Sequence, residues 1–209
     1  MLHTQTVTKP TLEILRGLLN LPEMSGFALV GGTNLSLRFG HRISIDLDLF
    51  TSESFDLQDL RETIRDKFPK SLELSARKQT LLLNIDGVKT DMMRHSYAVL
   101  KPVETIEGIR LMSLPDVAAM KLGAVAGRGA KKDFWDIHKL LEMYSVEEMI
   151  SFYNLKYPDS DPSQVLRSLV YFEDADQQPN PEDLQNTSWD QIKLKISEQV
   201  KNYTKDAIG

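Results

Sequence analysis

The chain has no cysteine. That absence removes disulfides, thiolate metal ligands and thiol nucleophiles together, so any metal chemistry here must be oxygen-based. Long hydrophobic runs are also missing. None approaches the roughly 18 residues needed to span a bilayer, and the polar stretch from Met1 to Pro10 has no hydrophobic signal core. A cytoplasmic protein with no membrane contact is expected. Positive charge is in deficit, with 25 Lys and Arg against 30 Asp and Glu and a formal net charge of -5. The molecule as a whole therefore lacks the field of a nucleic-acid binder, and any such contact must use a local patch. The histidines, His3, His41, His95 and His138, are scattered without ligand spacing and read as structural or exposed. Internal repeats and low-complexity tracts are absent too. What is present is 209 residues with 41% hydrophobic content, enough for one compact domain or a core domain with an appendage.

The apolar spacing lays out a mixed α/β order. Thr11 is placed to cap a first helix carrying Ile14, Leu15, Leu18 and Leu19. Phe27 to Val30 reads as a short buried strand turning at Gly31-Gly32, and Thr33 starts the next helix. Asp56 caps a helix with Leu57, Leu60, Ile64 and Phe68 on one side, ended by Pro69. Leu72, Leu74 and Ala76 alternate as in a strand. Thr80 to Ile85 and Val88 to Met93 flank Asp86-Gly87, the two-residue connection typical of a hairpin. After about residue 105 the pattern turns helical. Ser113-Leu114-Pro115-Asp116 opens a helix with Met120, Lys121 and Val125, broken at Gly127-Arg128-Gly129. Further helices are expected from Asp133, over Val146 to Tyr157, Pro162 to Phe172 and Trp189 to Tyr203. Glu173 to Ser188 is expected as a loop.

The most informative run is Ile43 to Phe50. Read as a strand, it places Ile43, Ile45, Leu47 and Leu49 on one face and Ser44, Asp46 and Asp48 on the other. Two carboxylates that close repel unless a cation or proton lies between them. A bare Asp-x-Asp is usually just a solvated polar face, and Gly-Gly turns are common. Here the pair follows Gly31-Gly32-Thr33 and precedes a third acid, Asp91, which shares a strand face with Lys89 and Met93. Gly31 and Gly32 would let backbone N–H groups approach phosphate oxygens, with the following helix N-terminus adding its dipole, and Thr33 could add a hydroxyl. Asp46 and Asp48 would hold Mg2+ or Mn2+, and Asp91 would complete a second metal position and help activate an acceptor hydroxyl. The combination suits a nucleoside triphosphate held for nucleotidyl transfer.

A glycine turn, an Asp-x-Asp strand and a later third acid resemble the nucleotidyltransferase fold. More narrowly, Leu29 to Leu35, His41 to Phe50 and Lys132-Asp133-Phe134-Trp135-Asp136-Ile137 resemble the AbiEii/AbiGii toxin family, over roughly residues 25 to 145. The resemblance implies an α/β (α+β) protein with a mixed-sheet core over 1–105, flanking helices, and a helical C-terminal region over 106–209. It implies a bacterial toxin of a type IV-like toxin–antitoxin or abortive-infection system, transferring a nucleoside monophosphate to RNA, with tRNA 3′ ends as the expected acceptor and a cognate antitoxin as partner. It also implies that Lys121 contacts phosphate and that Asp133 or Asp136 belongs to a late acidic motif of the nucleotide site.

Each of these residues has a plainer reading. Arg42 either touches phosphate or pairs with an acid. Lys121 either meets phosphate or is an aliphatic stem reaching solvent, and Asp133 is either part of the site or a helix cap. Arg128, Lys131 and Lys132 with Lys121 form a candidate RNA-contacting cluster or an ordinary solvated surface. Phe134 and Trp135 fit core packing better than base stacking. The alternative to an enzyme is an inactive nucleotide-binding or antitoxin-binding protein of the same fold.

Overall fold

A computed structural model describes residues 1–206, which divide into two compact units. The first comprises 1–97 and 102–113, and the second 98–101 with the chain from residue 114 onward.

The first unit is built on a mixed sheet. Its strands are β1 (Ala28–Leu29), β2 (Leu47–Thr51), β3 (Leu72–Arg77), β4 (Thr80–Ile85), β5 (Val88–Arg94), β6 (Glu104–Ile106) and β7 (Ile109–Leu111), in the spatial order β3-β4-β5-β2-β1-β7-β6. Pairing is antiparallel except at β2–β5 and β1–β7, which are parallel. The β4–β5 turn takes positive φ at both Asp86 (48°) and Gly87 (88°), the backbone a two-residue hairpin needs to match strand twist.

Helices α1 (Lys9–Leu19), α2 (Gly31–Phe39) and α3 (Leu57–Lys67) accompany the sheet. Buried Ile14, Leu15, Leu18 and Leu19 of α1 and Leu60 and Ile64 of α3 join Leu29, Leu47, Leu49, Leu81 and Met92 in one core. The cap of α1 is Thr8 rather than Thr11, because Pro10 occupies the first turn and Thr8 accepts the Thr11 N–H. Asp56 caps α3 as expected, accepting from the N–H groups of Gln58 and Asp59.

Two further readings need correction in this unit. The strand expected from Ile43 starts only at Leu47, where pairing with Thr90 begins, and Ile45 is 62% exposed instead of lining an apolar face. The expected helical region from 106 begins instead with β7: Glu107 and Gly108, both at positive φ, turn β6 into β7, and β7 pairs with β1.

The second unit is helical: α4 (Leu114–Gly127), α5 (Lys131–Leu140), α6 (Val146–Lys156), α7 (Pro162–Leu169), the short α8 (Glu173–Asp176) within the segment expected as loop, and α9 (Trp189–Asp206). Ser145 and Glu148 form a reciprocal capping box at α6, and Asp161 caps α7 ahead of Pro162. Leu122, Phe134, Ile137, Leu140, Met149, Val165, Ile192 and Ile196 are buried. Trp135 lies flat on Trp189, interplanar angle 5°, and Phe134 packs edge-on to the same indole. The packing reading of Phe134 and Trp135 therefore holds. Among the described residues no helix is long and apolar enough to cross a membrane.

Candidate active site

The site begins where β1 ends. Val30 is extended and its N–H donates to the Asp48 carbonyl oxygen at 2.8 Å, stitching the turn to β2. Gly31 follows at φ +69°, and a Cβ there would stand 2.4 Å from Asp48 Oδ2. Only glycine meets both demands, so the Asp48 carboxylate lies directly against the backbone that opens α2. No side chain caps α2, which leaves its first N–H groups pointing out of the helix end, where the dipole favours an anion.

Thr33 is 1% exposed, and its Oγ1 hydrogen-bonds the Asp46 carbonyl oxygen and Ser44 Oγ. Its hydroxyl is committed to the chain that carries Asp46, which leaves a phosphate contact from Thr33 to its main-chain N–H. Arg42 is likewise buried and donates from its guanidinium to the Ile43 carbonyl at 3.0 Å.

Asp48 and Asp91 are register partners across the parallel β2–β5 junction, with Leu47, Leu49, Thr90 and Met92 buried on the opposite face. Directly opposed residues of neighbouring strands share a face, so the two carboxylates stand side by side. Asp91 Oδ2 accepts from Lys89 Nζ at 2.8 Å, while Asp91 Oδ1 is buried with no hydrogen-bond partner. The Lys89 ammonium is held above the ordinary lysine range. The hydrogen bond to Asp91 is the main cause; burial opposes it, and the charges of Asp91, Asp46 and Asp48 add to it. One ammonium thus feels all three acids. The sequence signal for this role of Lys89 is a cation two residues from an acid, on the same side of the strand.

The acids fit a hard divalent cation in donor chemistry, and Asp91 Oδ1 is a buried acceptor in need of a donor or cation. Among the described residues no three acids or histidines already converge as a complete cage. Mg2+ keeps several waters and takes substrate phosphate oxygens along with one or two carboxylates.

In the helical unit the later motif residues form a group of their own. Lys121 Nζ lies 2.9 Å from Asp133 Oδ1 and 2.6 Å from Asp136 Oδ2. The Arg128 guanidinium forks onto both oxygens of Asp133. Both aspartates are fully buried, and Lys121 is nearly so. Burial pushes the Asp133 carboxyl up, but the charges and hydrogen bonds of Lys121 and Arg128 hold it below the ordinary carboxylate range. Lys121 has carboxylates where the resemblance implied phosphate, and Asp133 is a salt-bridge centre in the first turn of α5 rather than its cap. The basic residues read either as an RNA-contacting cluster or as ordinary solvated surface are split, since Lys121 and Lys131 are buried while Lys132 is exposed; Lys131 Nζ lies near Asn180 and over the Trp189 ring.

Comparison with known proteins gives the family and the fold. A family model described as nucleotidyl transferase AbiEii toxin, type IV TA system, matches residues 13–208. An uncharacterized protein of Aquifex aeolicus (strain VF5), aq_aa25, is 34% identical over 201 residues, covering 93% of this chain and 96% of its own. Two solved structures share the fold at low identity. JHP933 from Helicobacter pylori superposes with a TM-score of 0.59 at 17% identity, covering 96% of this chain and 94% of its own. The nucleotidyltransferase toxin MenT4 (Rv2826c) of Mycobacterium tuberculosis H37Rv gives 0.61 at 11% identity, covering 90% and 80%.

Proposed function

Because this chain belongs to the AbiEii family of nucleotidyltransferase toxins, we propose that it moves a nucleoside monophosphate from a nucleoside triphosphate onto an RNA hydroxyl, with the tRNA 3′ end as the acceptor. The observation that carries this reading is the side-by-side register of Asp48 and Asp91, with Gly31 closed against Asp48. The acceptor oxygen bonds to the α-phosphorus, the bridging bond to the β-phosphate breaks, and pyrophosphate leaves. Asp46, Asp48 and Asp91 would hold Mg2+ or Mn2+. When bound, such a cation neutralises charge on the phosphate oxygens.

The remaining work belongs to the chain. Main-chain N–H groups of Gly31, Gly32 and Thr33 at the head of α2 cradle the phosphates. Thr33 fixes the height of Asp46 through its carbonyl, and buried Arg42 braces the segment that leads to it. Asp91 Oδ1, with no donor of its own, takes the acceptor hydroxyl proton. Lys121, Asp133 and Asp136 serve as a buried ionic brace between α4 and α5. Family membership supports a toxin held in check by a cognate antitoxin, acting in the bacterial cytoplasm.

The test is direct. Purified protein with Mg2+, each labelled triphosphate and total tRNA should label RNA and release pyrophosphate, and Asp48→Ala should abolish both. Absence of transfer by the unaltered protein with every triphosphate would overturn the proposal.

A further inference from the structure

Asp48 and Asp91 are opposed on one sheet face, with Asp46 just ahead of β2, and the repulsion between such neighbouring carboxylates must be relieved from the protein's own residues. Lys89 is the relief the fold supplies. It sits two positions before Asp91 on β5, so the two side chains emerge on the same side of the strand, and its Nζ reaches Asp91 Oδ2 at 2.8 Å. The Lys89 side chain is 52% exposed while that of Asp91 is 13% exposed. The acid is thus nearly sealed, whereas the cation stands half in water.

From this asymmetry we infer that Lys89 is a resident counter-cation of the acid cluster, which a divalent ion must displace from Asp91 on loading. The inference rests on the proposed metal-binding role of Asp46, Asp48 and Asp91. Three features carry it. An ammonium on a flexible four-carbon stem is a mobile point charge that can swing into solvent without leaving a charge buried. The pair satisfies only one Asp91 oxygen, since Oδ1 stays buried without a partner, so the lysine neutralises the acid incompletely. Asp48 is the register partner of Asp91 across β2–β5, so the ammonium bonded to Asp91 stands at the edge of that carboxylate pair. Lys89 thereby holds the acid cluster together before metal arrives, and metal binding places a released cation at the edge of the site.

The experiment measures metal binding to the nucleotide-free protein, separately from turnover. Free Mn2+ is followed by electron paramagnetic resonance during titration of the unaltered protein, Lys89→Met, Lys89→Arg and Asp91→Asn. Removing the competing ammonium in Lys89→Met should tighten Mn2+ binding about two- to fivefold, the range an exposed ion pair is worth. Lys89→Arg should bind like the unaltered protein, and Asp91→Asn should bind weakly. Unchanged or weaker binding by Lys89→Met, with binding still lost in Asp91→Asn, would overturn the counter-cation role and leave the metal site standing. Full Mn2+ affinity in Asp91→Asn would instead overturn the metal reading of the acids.

A second measurement uses the unaltered protein, should Lys89→Met not fold. The Lys89 ammonium resonance, identified by its loss in Lys89→Arg, should move toward that of solvated lysines when Mg2+ is added. A resonance that stays in place while Mg2+ binds would refute displacement.

Discussion

Gly31 and Asp48 are in such close apposition that a single methyl group at Gly31 would fall 2.4 Å from Asp48 Oδ2. Gly31→Ala must therefore either force the carboxylate aside or flatten a turn held at φ +69°. It is expected to cost about 1–3 kcal/mol in urea unfolding and to reduce transfer by a larger factor, because the displaced group is a proposed metal ligand. Gly127→Ala is the control, since its added Cβ meets nothing within 4 Å and its φ is unstrained. It should stay within about 0.5 kcal/mol of the parent.

The Asp133 cluster gives a pH prediction. The folded Asp133 carboxyl lies below its ordinary range because Lys121 and Arg128 outweigh burial. A depressed folded value stabilises the protein above the ordinary carboxylate range, and this contribution disappears as pH falls through the folded value. Asp133→Asn should thus be destabilised near pH 7 and approach the parent only as pH falls through the depressed folded value, below the ordinary carboxylate range. Urea midpoints across that interval check it. A constant gap between the two proteins would show that the charge is not the source.

Much of the fold was legible because its signals are local. Asp86-Gly87 declares its hairpin through turn chemistry alone, and Asp56 and Pro69 bracket α3. The β6–β7 hairpin was missed because strands of three residues show little alternation, and β7 is fixed by pairing with β1, some eighty positions earlier. The Asp-x-Asp spacing located the acids, yet it overstated the strand, because pairing with β5 begins only at Leu47 and leaves Ile45 outside. Asp91 was placed by the hairpin, but its alignment with Asp48 depends on a parallel pairing between distant segments, which no local pattern encodes. Asp116 shows the same limit. An acid in the first turn of α4 reads as helix-end chemistry, and its partner Lys156 lies forty residues away on α6.

That buried pair yields the third prediction. Lys156 Nζ donates to Asp116 Oδ1 at 2.7 Å and to the Ala98 carbonyl at 2.7 Å, and Asp116 also accepts the N–H groups of Leu100 and Lys101. Both side chains are essentially buried, at 1% and 0% exposure. Lys156→Met keeps the volume but strands a buried carboxylate. It should cost about 3–5 kcal/mol, with an unchanged denaturant slope if the native state is otherwise intact. A loss under about 1 kcal/mol would mean that the two backbone N–H groups suffice for Asp116.

Thr33 separates positioning from chemistry. Its hydroxyl touches the Asp46 carbonyl and Ser44, so Thr33→Val, of nearly the same shape, removes both bonds and leaves a buried carbonyl and hydroxyl short of partners. A stability loss of about 1–3 kcal/mol follows from that alone. If the hydroxyl also sets the position of Asp46, Mn2+ affinity and the rate of nucleotidyl transfer should fall as well, while Thr33→Ser, which retains the hydroxyl, should restore both. Thr33→Val with parental metal affinity and turnover would assign the residue to folding alone, and the height of Asp46 would then rest on the Val30 N–H bond to β2.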